Sequence, residues 1–284
     1  MTNTSNSLTI SAAAVAELAA EMGAVVSNKS GGTNASRLPE LKINSQVDDE
    51  NGKPLPRGSF FIKGLEQMVY AETVKFRPLA HGFQYLHWDA LANKLAAKTR
   101  IISNFGEEAR DTRGTIRCGK PVSSVLKDLP QEQRDRFAEI TCFRQVRGLV
   151  SYTGKTVDGE EVTYTNQPVI LMLKGTNFAP FDDEFLKVIP RNRNIWDYES
   201  ELTTKKHKNG SVTWFTFHFA PDLKNPVGLD ETVLESIKVI RDAIRSENKR
   251  IDEAYYAALR NETLDQAAID AIEGSLDADL VDAA

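Results

Sequence analysis

Residues 143–178 constrain the fold more than any other stretch of this chain. They read FRQVRGLVSYTGKTVDGEEVTYTNQPVILMLKGTNF, two long β-forming runs around one turn. Phe143, Val146, Leu149, Val150 and Tyr152 belong to the outgoing run, rich in branched and aromatic side chains that suit a pleated, half-buried surface. Asp158-Gly159 tolerates the positive φ that a hairpin turn needs. The return run holds Thr163, Tyr164, Val169, Ile170, Leu171 and Met172, and Lys174-Gly175-Thr176-Asn177 closes it with turn residues. Pro168 lacks an N–H, so it belongs at a bulge or on an edge. A third run, VTWFTFHF at 212–219, is the most strand-like in the chain. Together these runs predict the centre of a curved antiparallel sheet in a mainly β, α+β protein.

The remaining segments are read around that sheet. Residues 1–37 form an N-terminal arm, in which Ser11 caps a short helix at 12–24 and NKSGGTNAS at 28–36 is a linker by composition. The β body spans 38–220. It opens with LPELKIN at 38–44 and continues with strands at 58–63, 67–77 and 83–88. Residues 90–102 stay ambiguous, because ALANKLAAK favours helix, TRIIS favours strand, and the position between strands suits a meander with a long turn. Residues 123–140 predict a helix interrupted at Pro130. Residues 196–203 read as a strand, and KKHKNG at 205–210 as a basic loop ending in an Asn-Gly turn. In the segment 221–262, Asp230 caps a long helix. Its Val233, Ile237, Ile240, Ile244, Ile251, Tyr255 and Leu259 fall on one face, which predicts packing on the parent sheet or on a second copy of the chain. Residues 263–284 are an acidic tail.

The net charge of −5 hides an asymmetry. Residues 261–284 carry seven acids and no base, so residues 1–260 stand at +2. Residues 57–120 hold eleven bases against six acids. A basic body with an acidic tail points to a polyanion partner. The two cysteines, Cys118 and Cys142, make no disulfide framework and fit a reducing cytoplasm. No apolar run approaches the ~18 residues of a spanning helix, so no membrane partner is expected.

Catalytic signatures are weak. Gly114-x4-Gly119-Lys120 approaches a phosphate-cradling loop, but Pro121 stands where a Ser or Thr would hold magnesium. His81, His87, Cys118 and Cys142 lack the paired short spacing of a zinc site. Asp182-Asp183-Glu184 is an acid cluster that a metal-dependent nuclease would use, although such a cluster is ordinarily a solvated turn. No cofactor or metal is expected, and no enzyme.

The positive signal is interleaving of bases with aromatic rings. Arg57, Lys63, Lys75, Arg77, Tyr85 and Trp88 lie in one β-rich segment; Arg144, Arg147, Tyr152, Arg191, Arg193, Trp196, Lys205, Lys206, Lys208 and Trp214 follow. Single-stranded nucleic acid is held by a basic groove for phosphates and by exposed rings on which bases stack. Most of these rings must also fill the core, so the pattern carries more weight than any one residue.

LPELKI at 38–43, the hairpin from Gly148-Leu149-Val150 to Leu173-Lys174-Gly175, and the tail ending Asp277-Ala278-Asp279-Leu280-Val281-Asp282-Ala283-Ala284 resemble the single-stranded DNA-binding proteins of tailed bacteriophages. The resemblance covers residues 38–284 in layout. It implies an OB-like antiparallel β-barrel, no catalysis, coating of single-stranded DNA during phage replication or recombination, and a tail that recruits replication or recombination proteins. Many such tails end in an aromatic residue, and this one ends in Ala283-Ala284, which shifts the expectation toward masking of the basic groove by the tail. The rival readings are the nuclease and a phage structural protein that assembles with copies of itself into a homo-oligomer.

Overall fold

A computed structural model of the chain describes residues 38–260. The expected arm helix, the linker and the acidic tail lie outside the described residues. Eight strands form one sheet: β1 (Glu40–Ile43), β2 (Phe60–Lys63), β3 (Val74–Asp89), β4 (Lys94–Lys98), β5 (Ile140–Lys155), β6 (Glu161–Leu173), β7 (Ser200–Asn209) and β8 (Val212–Pro221). Seven follow the order β2-β1-β6-β5-β3-β7-β8, and β4 branches from the far end of β3. β1 meets β6 in parallel, Glu40 against Ile170, and every other named pairing is antiparallel. The sheet curls into a half-barrel. Its two ends approach through the Phe60 and Phe217 rings, 5.7 Å apart, rather than through a ladder.

The β5–β6 hairpin is the centre, turning at Gly159 with φ +87°. Pro168 pairs opposite Leu149, beside a register shift that passes Asn166. β3 is one strand where the sequence suggested two. It bulges between Pro78 and Ala80, where a proline costs no ladder bond. Residues 67–73, expected as strand, make only isolated bridges, Ala71 to Phe60 and Tyr70 to Lys155. Residues 90–102 take the meander form, with a turn before β4. Two short helices, α1 (Ser123–Asp128) and α2 (Gln131–Asp135), flank Pro130. The strand expected at 196–203 begins only at Ser200, because Ile195–Asp197 is a single 3-10 turn closed by Asn194 and Asp197.

The inner face of the curl is filled by Leu41, Phe60, Ile62, Phe76, Val146, Val150, Leu171, Leu173, Leu202, Phe217 and Phe219. Phe181 and Phe185, from a single wide turn at Phe181–Leu186, close one end. Gly148 permits the tightest crossing: a Cβ there would lie 2.2 Å from the Arg77 carbonyl oxygen and 2.8 Å from the Phe76 ring.

The outer face of β3 and β5 is covered by α3 (Glu231–Leu259). Asp230 caps it, its side chain accepting from the Val233 N–H at 2.8 Å. Val233 and Ile240 pack on Leu79 and Leu149. Two polar residues then interrupt the apolar stripe before it resumes at the buried Ile251, Ala254 and Ala257. Glu247 accepts from Lys98 Nζ at 3.2 Å, Gln84 Nε2 at 3.1 Å and Arg147 Nη2 at 3.4 Å. Asn248 exchanges two hydrogen bonds with the Ile101 backbone, at 2.7 and 2.8 Å. Among the described residues no helix is long and apolar enough to cross a membrane.

Candidate nucleic-acid interface

β7 and β8 extend beyond the sheet. β3 pairs with β7 only from Val74–Leu202 to Phe76–Ser200, so past Leu202 the named ladder of β7 is with β8 alone. Lys205, Lys206 and Lys208 therefore sit on a strand, not in the loop expected from sequence; only Gly210-Ser211, the turn between the paired Asn209 and Val212, lies outside the ladder. Alternation along a strand then divides them between two faces. Lys205, His207, Trp214 and Thr216 share one face, while Lys206, Lys208, Thr213 and Phe215 share the other.

The root of this ribbon is clamped. Thr204 Oγ1 donates to the Gly58 carbonyl at 2.7 Å, and the Phe217 N–H donates to Asn177 Oδ1 at 2.8 Å. Glu184 Oε2 accepts from the Phe219 N–H and from His218 Nδ1, both at 2.9 Å, and its Oε1 accepts from Lys205 at 2.6 Å. Burial alone would raise the Glu184 carboxyl. The bond from Lys205, with the Phe219 N–H and His218, outweighs it and holds the group below the usual carboxylate range. These side chains cap the outer edge of β8 and discourage strand-to-strand association.

On the first face, Trp214 and His207 stack with ring centroids 5.3 Å apart and planes 16° from parallel. Thr176, Ala179, Pro180 and the acids Asp183 and Glu184 line a groove together with that stack. On the second face, Arg57 stands over the Phe215 ring, 6.0 Å from its centroid. Gly58 makes this approach possible, since a Cβ there would fall 2.5 Å from the ring. Among the described residues, Arg57, Lys206 and Lys208 have no acidic partner within ion-pair distance.

The other candidates divide by burial. Arg77 is buried and donates to the carbonyls of Trp196, at 2.8 Å, and Gly228, at 2.7 Å. Arg147 is buried against Glu247 beneath α3, and Tyr152 is buried with its hydroxyl donating to the Val69 carbonyl. Arg144 is 5% exposed and packs among the rings of Phe83, Phe178 and Phe181. These four hold the fold and do not reach the ribbon face. Trp196 packs against the cluster of Leu79, Leu149, Val233 and Ile240 beneath α3. Tyr85 is half-buried beside Cys142, and burial first, with Cys142 next, pushes its hydroxyl up to about 12. Trp88 is half-buried in β3. Lys63 ends β2 opposite Glu40, and Lys75 faces solvent opposite Glu201. Arg191 and Arg193 are exposed on the loop before β7.

His207 and Phe215 are ribbon residues that the sequence reading left out. Each is the cross-strand partner of a candidate, His207 of Trp214 and Phe215 of Lys206; the turn falls at Gly210-Ser211, whereas a register centred on Asn209-Gly210 would have paired His207 with Val212 and Lys206 with Thr213, so the expected Asn-Gly turn did not lead to them.

The geometry also explains the false motif at 114–120. The N–H groups of Arg113, Thr115 and Cys118 converge on the Asp111 carboxylate, at 2.8, 3.0 and 2.9 Å. The loop is built around an internal anion. Lys120 Nζ donates instead to the Phe137 and Ile140 carbonyls. The acid cluster is likewise committed: Asp182 to Lys187 and Arg144, Asp183 to Lys187, and Glu184 to Lys205 and His218. Among the described residues no three His, Cys, Asp or Glu side chains are placed to hold one metal ion. Comparison with protein-family models, with curated proteins and with solved structures returns no match.

Proposed function

We propose that this protein binds single-stranded DNA without sequence preference, as a coating protein of replication or recombination, with the β7–β8 ribbon as its principal surface and the half-barrel as an OB-type scaffold. One observation carries the reading: a clamped two-stranded ribbon presents a Trp–His stack on one face, beside Lys205 held by Glu184, and Phe215 with Arg57, Lys206 and Lys208 on the other. Rings and cations in that arrangement serve any base and any phosphate alike, which is the chemistry of sequence-tolerant strand binding. The role is binding rather than catalysis.

Anisotropy titration of labelled oligothymidine, duplex DNA and RNA tests this. Single strands should bind tightest. Affinity should fall between roughly 50 and 200 mM salt, with a log–log slope near ~0.7 per phosphate contact. Equal affinity for duplex, or no binding at the lowest salt, overturns the reading. A preference for RNA over DNA moves the substrate assignment and leaves the surface.

A further inference from the structure

A second ring surface lies where the inner face of β3 runs past the filled core, and its parts are built in sequence. Gly82 has no side chain, and a Cβ there would meet Ile101 Cγ2 at 2.7 Å and the Ile102 carbonyl at 3.0 Å. Ile102 can therefore dock on β3, exchanging backbone hydrogen bonds with Phe83 at 2.8 and 2.9 Å. The chain then turns through Ser103-Asn104-Phe105-Gly106-Glu107. Asn104 Oδ1 accepts from the Gly106 N–H at 2.9 Å, and Glu107 Oε1 accepts from the Ser103 N–H and Asn104 Nδ2 at 3.2 and 2.8 Å. This fixed loop sets Phe105 on Phe83, with centroids 4.1 Å apart and planes 28° from parallel. Phe178 joins at 5.8 Å from Phe83.

Phe105 is nevertheless 51% exposed. Beneath it, the Arg144 guanidinium lies 5.1 Å from the Phe83 centroid and 4.9 Å from that of Phe178. Its Nε is buried with no hydrogen-bond partner among the described residues. A cation under stacked rings draws their electron density inward. The outer face is then a poor seat for a Lys or Arg from a partner and a good one for a neutral, electron-rich ring.

We propose that Phe105 is a second base-stacking platform, on which an unpaired nucleobase continues the Phe83–Phe105 column. The inference rests on the single-strand reading and extends it past the ribbon. Continuity comes from the segment after β6. Asn177 holds the β8 edge, Phe178 stacks in the column, and Ala179 and Pro180 line the groove with Trp214 and His207. One short segment thus links the two ring sites, so a single strand can engage both. The platform supplies rings rather than charge, since Glu107 and Glu108 flank it.

The test uses full-length protein and oligothymidine in low salt. Phe105→Ala should weaken binding roughly 5- to 150-fold, the range of one lost base stack. Phe105→Trp should bind at least as tightly as wild type, with its indole emission quenched on adding DNA. Phe105→Leu keeps apolar bulk without a π-face, so it should melt close to wild type and bind as weakly as the alanine variant. An abasic oligomer should bind wild type and Phe105→Ala alike. If Phe105→Leu binds oligothymidine as wild type does while Trp214→Ala binds weakly, this inference is wrong and the ribbon reading stands. If wild type binds no single strand, both fail. If Phe105→Ala changes the sedimentation of the free protein and leaves DNA affinity unchanged, the ring serves a contact between copies and the proposal falls.

Discussion

Replacing Glu247 with glutamine should be among the most damaging single changes to this fold. The carboxylate answers two cations on the outer face of the sheet. Lys98 has 3% of its side chain exposed and Arg147 has 10%. Removing one member of a buried ion pair costs about 3–5 kcal/mol, because the charge left behind has lost its compensation. The amide of Glu247→Gln would keep the shape and could still bond Gln84, so the loss isolates charge. Each 1 kcal/mol shifts the melting temperature of a body this size by roughly 2–4 °C, giving a drop of roughly 6–20 °C. Arg147→Met should behave differently. It removes one of the two cations that Glu247 answers, together with the buried Nη1 that has no hydrogen-bond partner among the described residues. Its expected cost is smaller than that of Glu247→Gln, because Lys98 still pairs with the carboxylate that remains.

Acid titration gives the same network a second readout. Burial pushes the Glu247 carboxyl up, but Lys98 and Arg147, with the Gln84 amide, pull it below the ordinary carboxylate range. A folded-state value below the unfolded one means that protons favour the unfolded chain. The contribution is complete above the unfolded value, about 4.3, and is lost as pH falls through the folded value. Wild type should therefore lose stability on acidification below about pH 4.5, and Glu247→Gln should lose less over that interval. Thermal melts by circular dichroism at several pH values measure both. A Glu247→Gln loss under about 1 kcal/mol, or an Arg147→Met loss as large as that of Glu247→Gln, would refute the argument that uncompensated charge dominates.

Gly148→Ala should overpack the core by about 1–3 kcal/mol or more, since its Cβ would meet the backbone oxygen of Arg77; a melting temperature within about 1 °C of wild type would contradict the packing. Asp230→Ala should cost about 1 kcal/mol through loss of the α3 cap, and Asp230→Asn, which can still accept from the Val233 N–H, should cost less; equal melts for the two would count against a capping role. The triple change Arg57→Ala, Lys206→Ala and Lys208→Ala should flatten the salt slope of single-strand binding by up to ~2 while leaving the melt unchanged, and an undiminished slope would remove these bases from the interface. Deleting residues 274–284 removes Asp277, Asp279 and Asp282, and should tighten single-strand binding at low salt, with the gain fading as exposed charges are screened beyond roughly 10 Å at 0.1 M; no tightening at low salt would end the masking idea.

The β5–β6 hairpin was legible because its signals are local: branched and aromatic residues in two runs, and a glycine where φ is positive. The long helix was legible from its period and its Asp cap, except at Glu247 and Asn248. There the apolar stripe breaks because the opposite surface is itself polar, a fact held in residues about 150 positions away. Arg77 and Arg147 illustrate the same limit. Alternation puts them together on one side of the sheet, but nothing local tells which side α3 will cover. Lys205, Lys206 and Lys208 were found as a basic cluster and misplaced as a loop, because polar residues on a ribbon that leaves the sheet lack the apolar alternation that marks a half-buried strand. Phe105 gave no signal at all. It sits in SNFGEEA, an acidic turn by composition, and its stack depends on Gly82 admitting the loop to β3.

Covering one face of β3 and β5 with α3 also decides where a strand of DNA can lie. The helix occupies the outer face and consumes Arg147 there, while the loops beneath it consume Arg77. The inner face is filled by rings as far as Phe76, with Arg144 enclosed among further rings beyond it. Two of the places where rings reach solvent beside a hydrogen-bonded support are then the β7–β8 ribbon and the loop carrying Phe105. Both are fixed by backbone or side-chain hydrogen bonds and joined by the segment from Asn177 to Pro180. A flexible strand meeting such surfaces loses its own entropy but little of the protein's, so affinity rests on how many bases the two platforms engage at once. Trp214→Ala and Phe105→Ala combined should therefore weaken oligothymidine binding by less than the product of the single changes, because either change alone already forfeits the simultaneous engagement, and a strictly multiplicative loss would mean that the platforms act independently.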